Sequence, residues 1–370
     1  MRERSGPNDS AVSPVVGMVL VLGISIVGIA AILYWGLPAI DEMKANVEHK
    51  SVESQFQELD ATIKELVAGT TEKTAKRWQP TLNRGAIVMS NETEGWIYAV
   101  DLYNSGHDYG FAYGSIDGDN SFTMTSINET IADVTIKATR VNSTTSTQSL
   151  YLNAAANAKG STSATFASWA QGATKTFYLH DASGTQAPIR NSTIHFEVYA
   201  GATPALVSEA WFVPTGRVDY ELNAGVGTKT VSENNGAVIT GNGNTYALVN
   251  SPPIPPAAHS SGVTRHFARA VVLNGTSSFV GLDRFDVLVT LYSTYTLRSY
   301  DCALPSRSDC VESVKVFTYG KYADVWQSYL VNSGRGYTWQ EPSNGMDYLE
   351  DREAWMGFTL LQSTVQLVNG

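Results

Sequence analysis

Charge is scarce in this chain, and cysteine is scarcer. Of 370 residues only 16% are Asp, Glu, Lys or Arg, against roughly 25% in an average globular protein. The charge present sums to −10, and no basic stripe interrupts it. A nucleic-acid partner needs clustered Lys and Arg to displace counterions, so none is expected. Neither cysteine sits in a CxxC motif or beside histidine ligands, which argues against zinc. The six histidines are His49, His107, His180, His195, His259 and His266, and none stands at a metal-ligand spacing from another. There is no GxSxG elbow, no HExxH and no Walker loop. No period of roughly 20–50 residues repeats. The expectation is a non-enzyme, with no catalytic, cofactor-binding or metal residues. Only chemistry that needs no sequence proximity, such as a carboxylate pair for glycoside hydrolysis, escapes these absences.

Apolar residues, by contrast, make up 43% of the chain, enough for a real core. Residues 15–37 read VVGMVLVLGISIVGIAAILYWGL and hold no charge. At about 1.5 Å per residue such a helix covers about 35 Å, enough for a hydrocarbon layer of about 30 Å. A signal peptide would have a shorter apolar region and a small-residue cleavage site after it. Here the run ends in Tyr34 and Trp35, residues that favour the membrane–water interface. Arg2 and Arg4 precede it, and Asp41 and Glu42 follow. The positive-inside tendency then puts the N-terminus in the cytoplasm and the C-terminal bulk outside. Membrane lipid is the first expected partner.

After the apolar run, Val52, Phe56, Leu59, Ile63 and Leu66 alternate steps of four and three, a heptad-like seam. The spacing predicts an amphipathic helical stalk over 39–80, with Gly69 and Pro80 as stop signals. A bend is expected near Gly36–Pro38, where proline removes a backbone bond. From residue 81 the pattern turns to short β-branched and aromatic runs: 86–89, 96–103, 131–141, 176–180, 193–200, 210–213, 237–240, 268–273 and 285–295. The fold class is therefore α+β: a long N-terminal membrane helix continuing into the stalk, then a predominantly antiparallel, sandwich-like β ectodomain. The proline run 252–256 either separates two lobes, 81–250 and 257–370, or caps an edge within one domain.

Several local features carry expectations of their own. Tyr322, Trp326 and Tyr329 predict a short helix. Tyr337, Trp339, Tyr348 and Trp355 fit core packing better than a sugar-binding surface. Asp117, Asp119 and Asn120 resemble the start of a calcium loop, but its later glycine and glutamate are missing, so an acidic turn is expected. Glu350, Asp351 and Glu353 read as a solvated acidic cluster. Glycosylation sequons begin at Asn91, Asn128, Asn142, Asn191 and Asn274, although an Asn- and Thr-rich chain also makes them by chance. Cys302 and Cys310 lie eight positions apart around Pro305 and Ser306. They form a disulfide across a turn in an oxidising space, or else remain two free thiols. In the apolar run Gly17, Ser25, Gly28 and Ala31 fall in one broad helical sector, where small residues permit close helix–helix packing.

The segment Ala11-Val12-Ser13-Pro14-Val15-Val16-Gly17, at the mouth of the apolar run, resembles the N-terminus of archaeal type IV pilins. The resemblance covers residues 9–38. It implies a leader, 1–11, cut between Ala11 and Val12 by a prepilin peptidase on the cytoplasmic side. It further implies that 12–38 is a helix that leaves the membrane and packs into a surface filament. The partners it implies are that peptidase and pilin-like subunits, in a homo- or hetero-oligomer. A chain of this size fits a minor subunit. The alternative is a permanently anchored surface binding protein or adhesin outside any filament.

Overall fold

A computed structural model describes residues 14–369 apart from 70–71, 91–93, 115–120, 142–146, 156–158, 188–191, 225–226, 276–277, 281–282, 304–308, 334–335 and 341–347. One helix, Pro14–Ala68, opens the chain and is 55 residues long. Pro38 lies inside it. Its ring removes one donor, the one that would serve the carbonyl of Tyr34, yet helix continues on both sides. The helix stops where Gly69 N donates to Glu65 O at 3.0 Å.

The remainder is β-rich and mostly antiparallel. Its largest sheet has 13 strands. The main path runs Ala75–Trp78, Val287–Tyr300, Tyr348–Asn369, Val311–Tyr319, Gly95–Leu102, Ala205–Pro214, Thr193–Ala200, Ile131–Val141 and Ser163–Trp169. The C-terminal strand Tyr348–Asn369 pairs with Val311–Tyr319 through its first residues and with Val287–Tyr300 through its last. That change of partner curls the sheet. Strand Val263–Asn274 joins the same C-terminal strand in parallel, an exception to the antiparallel pattern. Strands from both sides of the proline run 252–256 share this sheet, as where Val316 stands opposite Tyr98.

A six-stranded sheet runs Thr245–Leu248, Ala237–Asn242, Gly227–Asn234, Arg217–Ala224, Ala86–Ser90 and Ser278–Val280. Asn235 and Gly236 form one of its two-residue hairpin turns, with φ of 51° and 72°. An Asn-Gly pair supplies the two left-handed residues that such a two-residue turn requires. A four-stranded sheet comprises Phe111–Gly114, Ser121–Ser126, Thr174–His180 and Tyr151–Asn153.

Three apolar cores follow from strand alternation. In Thr193–Ala200, Ile194, Phe196, Val198 and Ala200 point inward with intervening residues less buried. They meet Phe111, Phe122 and Phe177 of the four-stranded sheet. A second core lies beneath the helix, with Phe56, Trp78, Tyr220 and Leu291. The third holds Trp96, Trp211 and Phe358 against the short helix Ala323–Asn332, through Trp326 and Leu330. Strand Gly95–Leu102 contributes Ile97 and Ala99 to the first core and Trp96, Tyr98 and Val100 to the third, so it is covered on both faces.

Tyr337 and Tyr348 are buried, and Trp339 and Trp355 pack against buried clusters. Cys302 and Cys310 form a disulfide with a Cα–Cα distance of 4.4 Å. Both are buried beside Val263 and Trp355.

Candidate functional site: the apolar helix and its seat

The helix is divided by its surroundings. Between Val15 and Leu37 the large apolar side chains stand exposed, among them Met18, Ile24, Val27, Ile32 and Trp35. It is long and apolar enough to cross a membrane, and none of its most apolar stretch is buried by the other described residues. Such a surface is stable only in lipid or against other apolar surface. The small residues sit within this half. Ser25 and Gly28 are exposed, and Gly17 and Ala31 are half-exposed. Apart from the adjoining helix backbone, no described atom approaches within 4 Å of a Cβ placed at Gly17, Gly23 or Gly28. Ser25 Oγ donates to Val21 O at 2.8 Å, which satisfies the hydroxyl inside the helix.

The other half is seated on the β body. Val52, Phe56, Leu59, Ile63 and Leu66 are all buried, so the heptad-like seam is the contact face. Polar clamps flank it. Glu48 accepts Asn83 N and Nδ2, each at 2.8 Å. His49 Nε2 donates to Thr230 O at 3.2 Å and lies 3.1 Å from Thr240 Oγ1. Burial lowers the His49 pKa from its ordinary 6.5, which favours the neutral ring. Gln55 imitates a strand, accepting Thr81 N at 2.7 Å and donating to Thr81 O at 3.2 Å. Trp78 Nε1 donates to Gln55 O at 3.0 Å. Further on, Asp60 accepts from Lys64 at 2.7 Å and from Asn250 at 2.8 Å.

The other expected site residues fall in three groups. Ala11, Val12, Asn91, Asn142 and Asn191 lie outside the described residues, as do Asp117, Asp119 and Asn120. Asn128 is half-buried and its amide donates to Asp108 at 2.9 Å. Asn274 is exposed at the end of its strand. The acidic cluster needs correction. Asp351 is buried and lies 2.9 Å from His266 Nε2, and Glu350 is half-buried beside Lys315. Glu353 alone stays exposed. The cluster is not solvated because its strand, Tyr348–Asn369, runs between neighbours that cover it.

One cluster has no sequence signal beyond two residues on one strand face. His195 and Glu197 share that face, and Glu209 stands opposite Glu197 on the next strand. Their ligand atoms all lie within 4.8 Å of one another. One imidazole and two carboxylates can hold a divalent ion. Here Glu209 already has protein partners on both of its oxygens. His195 Nε2 sits 2.8 Å from Glu209 Oε1, and Arg298 Nε sits 3.0 Å from Oε2, which also accepts Tyr300 OH. His195 stacks on Trp211 with ring centroids 4.9 Å apart. These contacts make a closed network that ties strand Val287–Tyr300 across the curled sheet.

No family model matches the chain, and no curated protein or solved structure matches it.

Proposed function

We propose that this chain is a pilin-like structural subunit of an archaeal cell-surface filament, a minor one by its size. It assembles through the helix at 12–38. The observation that carries this reading is the division of one helix into an exposed apolar half and a half seated on the β body. A subunit that must first sit in lipid and then pack among neighbouring helices needs such a division. The motif from Ala11 to Gly17, at the helix mouth, supplies the cut for a prepilin peptidase between Ala11 and Val12.

In this reading the N-terminus faces the cytoplasm, and the stalk expected over 39–80 is helical only to Ala68, because Ala75–Trp78 is a strand; the β body is a sandwich-like outer domain. The disulfide suits an oxidising exterior. Membrane lipid is the first partner, and pilin-like subunits, identical or different, are the later ones. Gly17, Ser25, Gly28 and Ala31 mark the side on which neighbouring helices approach closely.

Mass spectrometry of the mature N-terminus tests the reading. A start at Val12, with the chain recovered in sheared surface filaments, is the expected result. An intact N-terminus beginning at Met1 or Arg2 overturns it and leaves a permanently anchored surface binding protein.

A further inference from the structure

Lys315, Asp101 and Glu350 play no part in the reading above, yet they meet on one face of three adjacent strands. Strand Val311–Tyr319 pairs on one side with Gly95–Leu102, Ser313 opposite Asp101 and Lys315 opposite Ala99. Asp101 is therefore the diagonal neighbour of Lys315 on the same face. On the other side Lys315 stands directly opposite Glu350. The amine and the carboxylate are removed from solvent: Lys315 is 1% exposed and Asp101 2%. Lys315 Nζ donates to Asp101 Oδ2 and, at 3.1 Å, to Phe111 O. It lies 3.9 Å from Glu350 Oε1. Ser313 Oγ donates to Asp101 Oδ2, and Ser208 Oγ lies beside Oδ1, each at 2.8 Å. Tyr113 OH backs Ser208 at 2.9 Å. Phe111, Tyr113, Phe317 and Tyr348 belong to the apolar core on this face.

An amine and a carboxyl held in contact behave differently inside a protein than in water. Proximity replaces a bimolecular encounter. Exclusion of water also favours condensation over hydrolysis, because the water released has no reservoir beside it to return from. We propose that Lys315 and Asp101 become joined by an intramolecular isopeptide bond, formed by the folded chain itself with Glu350 as proton carrier.

The step balances without a co-reactant. The Lys315 ammonium passes a proton to the Asp101 carboxylate, giving amine and carboxylic acid. The nitrogen lone pair attacks Asp101 Cγ and a C–N bond forms. Ser208 stabilises the negative oxygen that develops at Oδ1. Glu350 protonates the departing hydroxyl, the C–O bond at Oδ2 breaks, and one water leaves. Glu350 then recovers its proton from the nitrogen. Burial raises the Glu350 pKa above its ordinary 4.5, as the Asp101 charge also does, so the acid form persists where an exposed glutamate is ionised. The product links strands whose bonded residues are 214 positions apart. A pull on the chain would then have to break a covalent bond before separating Gly95–Leu102 from Val311–Tyr319. The proposal is independent of whether the chain enters a filament.

A peptide map of the full-length chain, extracted in detergent, reduced and digested with trypsin, tests it. The expected result is a branched peptide containing Lys315 and Asp101, lighter by one water than the two linear peptides together and uncut after Lys315. In Glu350→Gln the linear peptides should return with the circular dichroism spectrum unchanged. Cleavage after Lys315 and two linear peptides from the wild-type chain overturn the proposal. The wild-type map decides alone if the variant misfolds.

Discussion

Glu48 grips Asn83 at two points, one carboxylate oxygen on the backbone N–H and the other on the side-chain amide, both at 2.8 Å. The contact marks where the N-terminal helix changes environment. One residue before it Val47 is 71% exposed, and one turn after it Val52 is 1% exposed. One continuous helix thus serves two surroundings, and the residues at the change have separable roles.

Replacing Glu48 with Ala removes both acceptors and leaves the Asn83 amide unpaired. Hydrogen bonds to charged groups contribute about 1.5–3 kcal/mol each before losses from geometry and exposure. The expected loss is about 2 kcal/mol of stability. It should come with faster amide exchange near residues 45–52. Denaturant unfolding and hydrogen exchange of the full chain in detergent check both. Unchanged exchange would show that the apolar seam alone seats the helix.

Phe56 and Ile29 should separate seating from insertion. Phe56 is fully buried and meets Trp78 edge-on, with ring centroids 5.5 Å apart. Phe56→Ala should cost about 3–5 kcal/mol, as a large core truncation does. Ile29 is 58% exposed. Ile29→Lys should leave the unfolding midpoint of the body nearly unchanged. A lysine at the centre of a membrane helix opposes insertion by about 2.5–3.5 kcal/mol, so extraction from membranes at alkaline pH should become easier. Equal effects of the two variants on the body would sink the division of the helix.

The sequence makes the helix and several strands legible for a local reason. The seam from Val52 to Leu66 has helical spacing, and every member is buried. Strands Ile131–Val141 and Thr193–Ala200 alternate apolar and less buried positions over runs that are readable directly. Gly227–Asn234 is not readable in this way. It reads GTKTVSEN, yet Thr230, Ser232, Glu233 and Asn234 are all buried. Its burial comes from neighbouring elements, the helix among them, which no window of the strand contains. The Tyr348–Asn369 strand is 22 residues long and was equally hidden, because it changes partners midway. Among charged residues the same limit holds. Lys315 and Asp101 meet by register across two strands, Glu209 reaches His195 from the adjacent strand, and it reaches Arg298 across the curled sheet.

The disulfide offers a test away from the helix. Closing the loop between Cys302 and Cys310, eight residues apart, stabilises by about 2.5 kcal/mol in the chain-entropy account. The Cys302→Ser, Cys310→Ser double variant should lose about that much, and a reducing agent should lower the wild-type melting temperature. The same reagent should leave the melting temperature of the double variant unmoved. An effect on both would place the sensitivity elsewhere than in this bond.

Glu233 gives the stability of the body a pH dependence of unusual sign. It is fully buried, and burial together with the nearby Asp60 charge raises its pKa well above the ordinary 4.5. Desolvation likewise raises Asp60, against the opposing pull of Lys64 and Asn250. A carboxyl raised on folding holds a proton that the unfolded chain has already released. Between the unfolded and folded values the native state therefore binds more protons, and stability falls as pH rises. The favourable contribution is fully present below about 4.5 and is lost as pH climbs through the folded value. Glu233→Gln keeps the shape and removes the titration. Its stability should exceed that of the wild type at alkaline pH and change less between mildly acidic and alkaline conditions. Denaturant unfolding of the full chain at several pH values measures both slopes. Parallel slopes for wild type and variant would mean that Glu233 titrates normally, with its charge compensated in the folded state.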